Sequence, residues 1–397
     1  MGSFRWLSKW ALLLALVGIG AGSSSALFLF LLDAVTGYRE GHAMILYLLP
    51  LAGFLSGLLY HYLGTEVELG NALILDEIHE PKNQLPLRMA PFVVFGTLLT
   101  HLFGGSAGRE GTAVQMGATL ADQWGPIFKL QVFERRILLM AGLSAGFGSV
   151  FGTPWAGAVF GVEILKIKNK NLRNFFKCFA ACLTTGWIGH RTTLAWGIRH
   201  TSYSLLKDMI PSPELGTISY VVAAGFLFGL CALFSAGLTH RISFLFEKKI
   251  SYPPLRPALG GLGITAMTLF TGSQRYVGLG IPTIIQAFHA HLSPYDFFEK
   301  LFYTALTLGS GFKGGEVTPM FFMGATLGNA LGYVFPLTFT FLAALGFVSV
   351  FAGAGAVPIA STVMAIEIFG TQIAFYAAIS CATSYLTYKY LRRSKTH

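Results

Sequence analysis

A run of 50 residues without Asp, Glu, Lys or Arg, from Val317 to Ile366, most constrains what this chain can fold into. Only 12% of the 397 residues are charged and 53% are hydrophobic, whereas soluble domains carry roughly 25% charged residues. Further uncharged stretches are each about as long as a helix that crosses roughly 30 Å of hydrocarbon: Ala11–Leu32, Ala43–Gly64, Ala90–Gly108 and Ile137–Val162. These solid apolar blocks predict an all-α polytopic membrane protein, since the strands of a membrane barrel would alternate polar and apolar residues.

The basic residues, which give a formal net charge of +10, cluster at the ends of the apolar stretches. The clusters are Lys166, Lys168, Lys170, Arg173 and Lys177; Arg241, Lys248, Lys249 and Arg256; and Lys389, Arg392, Arg393 and Lys395. Under the positive-inside rule these clusters mark cytoplasmic loops, and Arg5 and Lys9 place the start of the chain on the same side. We therefore expect both termini to be cytoplasmic and the partner to be the lipid bilayer, with no nucleic acid.

Motifs for metal, cofactor or enzymatic chemistry are missing from the sequence. Four cysteines lie in apolar surroundings without zinc-type spacing. The glycine-rich segments lack the Lys-Ser/Thr of a phosphate loop, and the histidines lack His-Glu-x-x-His spacing. We expect no metal and no cofactor. A membrane-embedded enzyme that uses two carboxylates as an acid and a base is the weaker alternative to a transporter.

Three internal matches in the same order indicate two homologous halves, residues 1–205 and 206–397. The matching pairs are Val67–Leu75 with Val277–Ile285, at an offset of 210; Glu110–Leu120 with Glu316–Leu327, at offsets of 206 and 207; and Pro154–Glu163 with Pro358–Glu367, at an offset of 204. Repeats of this kind, parallel or inverted, are common in transporters, where the substrate site lies at the interface between the repeats.

The matching segments are interrupted by glycines, above all residues 104–112 and 310–319. A glycine-rich turn that opens a helix directs backbone N–H groups and the positive end of the helix dipole at one spot, which favours an anion. Thr112 and Thr318 could donate their hydroxyls to the same ion. Close helix packing is the alternative role for many of the other glycines.

Glu110 and Glu316 lie where these turns meet apolar helices. An ionised carboxylate there can occupy the anion site itself, and a protonated one can leave it, so anion movement and proton movement become linked. The alternative is that Arg109 and Lys313 simply pair with the two glutamates at an aqueous surface. Two glutamates in matching segments favour the functional interpretation.

Gly108-Arg-Glu-Gly-Thr-Ala-Val-Gln115 resembles a motif of the CLC family of chloride channels and transporters, and Gly315-Glu-Val-Thr-Pro319 occupies the place of a second CLC motif. The resemblance implies two inverted-topology repeats of tilted and broken helices around an anion pathway, with Glu110 as the gate. It implies a homodimer with one pathway in each subunit. The anion-binding residues that it implies are Asn71, Gly108, Arg109, Gly111, Val317 and Thr318.

Departures from the chloride-type pattern resemble the fluoride/proton antiporter branch of that family. Asn71 stands where chloride-type members have a serine ligand, and Ile164 stands where chloride/proton exchangers have a proton-transferring glutamate. Glu316 and Thr318, in Gly-Glu-Val-Thr-Pro, match residues that are functional in the fluoride branch. The resemblance thus implies fluoride and protons as substrates, and export of fluoride for resistance.

Several alternatives stay open within the family. A chloride/proton antiporter or a voltage-gated-type chloride channel would require Asn71 to act as the serine does. The pore tyrosine has three candidates, Tyr385, Tyr388 and Tyr390. The expected location is the inner membrane of a bacterium.

Overall fold

The structure, a computed structural model, describes residues 2–164, 172–203 and 209–393, and these ranges are mainly helical. Up to residue 195 the helices are α1 (Gly2–Gly41), α2 (Leu49–Leu63), α3 (Asn71–His79), α4 (Met89–Leu102), α5 (Glu110–Asp122), α6 (Trp124–Ile127), α7 (Val132–Phe151), α8 (Pro154–Glu163) and α9 (Leu172–Ala195). They continue with α10 (Leu215–Lys249), α11 (Leu255–Thr271), α12 (Ile281–Gln286), α13 (Asp296–Gly309), α14 (Val317–Leu331), α15 (Phe339–Ala354), α16 (Pro358–Phe369) and α17 (Ala374–Arg393).

Three helical segments of the described ranges combine the length and the apolar character that a membrane span needs: Arg5–Gly41, Ala43–Leu63 and Leu215–Lys249. Other apolar helices are shorter, with 14 residues in α4, 16 in α15 and 12 in α16. The predicted all-α membrane architecture is confirmed, and it mixes long spanning helices with short ones. Lys166, Lys168, Lys170 and Lys395, on which part of the predicted orientation rests, lie outside the described residues.

The uncharged stretches do not each form one helix, because glycines and prolines divide them. Ile137–Val162 is divided at Gly152, whose φ of 76° ends α7, and Pro154 begins α8. The stretch Ala90–Gly108 is helical only up to Leu102. The run from Val317 to Ile366 contains α14, α15 and most of α16. Left-handed glycine and N-terminal proline are the ordinary signals for ending one helix and starting the next.

The chain divides into two compact units that do not follow chain order. Unit 1 comprises residues 1–34, 62–95 and 110–201, and unit 2 comprises residues 35–61, 96–109 and 202–397. Helix boundaries nevertheless recur along the chain: α4 and α13 each have 14 residues, and both their first and their last residues are 207 positions apart. The division into halves at residue 205 stays a prediction.

Each unit contains a pair of helices that cross at glycines. In unit 1, a Cβ at Gly117 of α5 would overlap the carbonyl oxygen of Gly142 in α7. In unit 2, a Cβ at Gly324 of α14 would overlap the carbonyl oxygen of Gly346 in α15. Small residues let membrane helices approach closely, and this packing holds α5 and α14 by their middles.

A buried ionic network ties together the far ends of α3 and α5 in unit 1. Arg135 donates to both carboxylate oxygens of Asp122, at 2.7 Å each, and to Glu77 at 3.1 Å. Asp122 is fully buried and also accepts the backbone N–H of Leu85 at 2.8 Å. Charge-assisted bonds of this kind are the strong ones in proteins, so the network fixes two helices whose other ends carry Asn71 and Glu110.

Candidate anion and proton site

Glu110 is the first residue of α5 and is 1% exposed. The following residues Gly111 and Thr112 are buried as well. The N–H groups of a first helical turn have no partner within the helix, and the helix dipole gives this end a partial positive charge. The predicted carboxylate is therefore placed at a helix start that suits either its own negative charge or an anion.

Glu316 is the N-cap residue of α14, followed by half-buried Val317 and buried Thr318. Its side chain is exposed to a cavity of about 580 Å³ in unit 2. The cavity is lined by parts of α10, α13, α15 and α17, including Arg241, Tyr388 and Arg392. A carboxylate beside open space can exchange a proton more easily than one enclosed on all sides.

The two glutamates are not strict equivalents in the repeat. Glu110 lies inside the first turn of α5, whereas the first residue of α14 is Val317, 207 positions further on, and Glu316 precedes it. One residue along a helix turns a side chain by about 100°. The sequence match at an offset of 206 is therefore one position out, which explains why one carboxylate is buried and the other faces a cavity.

The loops that lead into the glutamates bond directly to each other within unit 2. Gly108 donates its N–H to the carbonyl oxygen of Gly315 at 2.6 Å, and Gly315 donates its N–H to that of Gly108 at 2.8 Å. This antiparallel bridge joins residues 207 positions apart, and exchange of the two residues leaves its bonding pattern unchanged. A local two-fold relation between equivalent loops is what an inverted repeat requires.

Asn71 is the first residue of α3 and is exposed. The preceding Gly70 has φ 55°, and a Cβ there would lie 3.1 Å from Nε2 of Gln115 on α5. Within unit 1 the start of α3 and the side chain of Gln115 are thus neighbours. Gln115 was not predicted as a site residue, although it closes the motif that begins at Gly108.

The three candidate tyrosines lie on α17 in different surroundings. Tyr388 is 6% exposed, lines the cavity that Glu316 faces, and accepts a hydrogen bond from Arg392 at 3.0 Å. Tyr390 is 80% exposed. Tyr385 is half-buried, with the ammonium of Lys389 5.2 Å from its ring centroid.

The flanking basic residues differ in their surroundings. The ammonium of Lys313 lies 4.3 Å from the ring centroid of Tyr60, in a cation–π arrangement. Arg109 is half-buried, directly before α5. In the described residues, no group of three or more His, Cys, Asp or Glu side chains could hold a metal ion.

A family model described as voltage gated chloride channel matches residues 52–389. The chain belongs to this family, the CLC family. A CLC relative from Pseudomonas syringae pv. tomato, named chloride/fluoride channel protein, is 50% identical over 387 residues, which cover 96% of this chain and 84% of the relative. Membership makes the chain a membrane protein of a family that contains channels and transporters.

Solved CLC structures share the fold. The crystal structure of a CLC-type fluoride/proton antiporter matches with a TM-score of 0.90 and 32% sequence identity, covering 97% of this chain and 96% of that one. A slow cyanobacterial Cl⁻/H⁺ antiporter matches with a TM-score of 0.82 at 20% identity, covering 96% and 95% of the two chains. The predicted CLC fold of tilted and broken helices in inverted-topology repeats is confirmed.

Proposed function

We propose that this CLC protein exchanges fluoride for protons across a bacterial inner membrane, and that it exports fluoride and so protects the cell. The observation that carries the proposal is the bridge between Gly108 and Gly315, which bonds the loops leading into Glu110 and Glu316 to each other. The names of the Pseudomonas relative and of the solved antiporter support fluoride as the ion and antiport as the mode.

Glu110 acts as the gate. When ionised, its carboxylate occupies the positive end of α5 in place of the anion; when protonated, it loses that attraction and leaves. Anion entry therefore requires proton uptake at the same residue. Its burial at 1% exposure excludes water that would otherwise satisfy the charge.

Glu316 and Thr318 provide the step specific to the fluoride branch. Glu316 faces the cavity and can pass a proton, and Thr318 carries a hydroxyl in the first turn of α14. The CLC resemblance adds Asn71, Arg109, Gly111 and Val317 as proposed donors. Gly108, whose own N–H bonds the carbonyl oxygen of Gly315, would contribute by shaping the turn before Glu110. Such donors suit fluoride, a small anion that accepts strong hydrogen bonds.

The proposed assembly is a homodimer with one pathway in each subunit, and both termini face the cytoplasm. We carry over both features from the CLC resemblance and from the distribution of Lys and Arg. Among the three tyrosines, Tyr388 is the proposed pore tyrosine, because it lines the same cavity as Glu316.

The test uses purified protein in liposomes loaded with fluoride, with a fluoride electrode and an external pH electrode read together. We expect fluoride efflux to be accompanied by proton uptake in a fixed ratio, and chloride efflux to be much slower. Empty liposomes give the background leak. Fluoride efflux without proton movement would contradict antiport.

The second candidate is a chloride/proton antiporter or chloride channel, which the word chloride in the name of the Pseudomonas relative favours. The same liposomes loaded with chloride decide between the candidates. Equal rates for chloride and fluoride would support this second function, and Asn71 would then act as the serine does in chloride-type members.

A further inference from the structure

The loop from Gly104 to Gly108, which leads into Glu110, belongs to unit 2 and is buried along its whole length. Gly104 and Gly105 donate their N–H groups back to α4, at His101 and Thr100. The carbonyl of Gly105 accepts the N–H of Gly278 at 3.1 Å. A loop so completely bonded cannot shift without breaking several hydrogen bonds.

Three buried hydroxyls in this region connect the loop to α13, and one of them, that of Thr307, also makes the usual bond of a membrane-helix threonine back to its own helix. The hydroxyl of Thr307 in α13 accepts the backbone N–H of Ser106 at 3.0 Å. The same hydroxyl donates to the backbone carbonyl oxygen of Tyr303 at 2.7 Å. The hydroxyls of Ser106 and Thr304 lie 2.9 Å apart. All three side chains are buried, with Thr304 the most exposed at 3%. These three residues, Ser106, Thr304 and Thr307, form an anchor cluster. Two hydrogen bonds in it join the loop to α13.

The repeat supplies a natural comparison for Thr307. Its counterpart, Thr100 of α4, lies 207 positions earlier and is equally buried. The Thr100 hydroxyl donates to Gly96 of its own helix at 2.9 Å. The two threonines thus occupy equivalent places in equivalent helices, but only the hydroxyl of Thr307 bonds a backbone N–H of the loop before Glu110.

We propose that Thr307, with Ser106 and Thr304, is a positioning site that fixes the loop before Glu110 and thereby keeps fluoride and proton movement coupled. The inference rests on the proposed function. The anchor cluster touches neither ion. It fixes the backbone of the loop that ends at Gly108, two residues before Glu110. The Glu110 carboxylate can then return to the same position each time it releases a proton.

The test compares Thr307→Val with Thr100→Val, which removes an equally buried hydroxyl that bonds only within its own helix. Hydrogen exchange of the peptide spanning residues 104–110 is measured by mass spectrometry on the detergent-solubilised protein. We expect at least threefold faster exchange in Thr307→Val, an unchanged rate in Thr100→Val, and recovery in Thr307→Ser, which restores the hydroxyl. Equal exchange in the two valine variants would overturn the anchor.

Coupling is then measured as protons moved per fluoride in liposomes. We expect at least a threefold lower ratio in Thr307→Val and the wild-type ratio in Thr100→Val and Thr307→Ser. Ser106→Ala removes only the bond to Thr304 and gives a milder second variant if Thr307→Val does not fold; its loop exchange and ratio are expected to change in the same directions. Faster exchange with an unchanged ratio would overturn the role in coupling. Wild-type protein that moves fluoride without protons would refute the proposed function, whereas the exchange comparison would still decide the anchor.

Discussion

The two glycine-rich loops, residues 104–109 and 311–316, occupy equivalent places in the chain but are held differently. The first loop is buried from Gly104 to Gly108 and is bonded to α4, α13 and the segment before α12. The second begins with exposed Gly311 and ends at Glu316, which faces a cavity. One carboxylate follows a loop that is bonded on several sides, and the other lies beside open space. Equivalent loops can therefore carry different steps of one transport cycle.

The contrast extends to matching positions within the loops. Ser106 bonds to α13 through both its N–H and its hydroxyl, whereas the residue 207 positions later is Lys313, whose ammonium lies over the ring of Tyr60. Hydrogen bonds fix the position of Ser106 because they depend strongly on distance and angle. A cation–π contact is less directional, so the Lys313 ammonium can shift over the Tyr60 ring and stay in contact. The difference predicts a rigid first loop and a more adaptable second one.

The largest expected effect separates the two glutamates. Glu110→Gln cannot take up a proton, so we expect proton movement per fluoride to fall to background. Glu316→Gln should slow proton movement relative to fluoride movement by about threefold to tenfold, corresponding to a proton-transfer barrier higher by up to about 1.4 kcal/mol. The loss is smaller because the cavity beside Glu316 leaves room for another proton route. The measurement is the paired fluoride and pH recording in liposomes. Glu247→Gln, an exposed change on α10, is the control. A greater loss in Glu316→Gln than in Glu110→Gln would reverse the assignment of roles.

Alanine at the first glycine of each loop tests their packing. Gly104 has φ 90° and a Cβ there would lie 2.6 Å from Cδ1 of Leu46, whereas Gly311 has φ 102° and a Cβ there would meet nothing within 4 Å. Backbone strain costs about 1–2 kcal/mol at either site, and overpacking adds about 1–3 kcal/mol at Gly104 alone. We expect Gly104→Ala to lower the melting temperature in detergent clearly more than Gly311→Ala. Equal decreases in melting temperature would mean that the first loop accommodates an added methyl group as easily as the second.

Loss of the anchor hydroxyl should have a smaller effect on stability. Thr307→Val leaves the buried N–H of Ser106 without its acceptor, at a cost of about 1–3 kcal/mol. Thr100→Val removes only a bond within α4 and should cost less than about 1 kcal/mol. Melting temperatures of the two variants, measured in the same detergent, compare these costs. The comparison fails if Thr100→Val is the less stable protein.

The smallest expected effect concerns the second loop. Lys313→Met keeps most of the side-chain volume but removes the cation over Tyr60, an interaction of about 0.5–2 kcal/mol. We expect a small drop in melting temperature and faster hydrogen exchange in residues 311–316, with residues 104–108 unchanged. Tyr60→Leu removes the same interaction from the other side and should give the same pattern. Faster exchange in the first loop instead would show that the two loops are not held independently.

Much of the site could be predicted because its chemistry is local. Glycine-rich turns before apolar helices appear directly in the sequence, so a helix start close to each of Glu110 and Glu316 could be predicted. The one-residue difference between Glu110 and Glu316 could not, because Glu-x-Thr occurs at both places and only the helix boundaries show the shift. Gln115 and Thr307 were missed, since their roles depend on neighbours distant in the chain.

The sequence by itself determined the membrane class, the repeated order of segments and the CLC family, because hydrophobicity, glycine spacing and motifs are properties of short stretches. It did not determine how residues 35–61 and 96–109 pack with the second part of the chain. That partition, the pairing of Gly108 with Gly315, and the exposure of each glutamate were decided by the tertiary structure. The physical reason is that hydrogen bonds and burial between segments some 200 residues apart depend on the whole fold, and no local pattern encodes them.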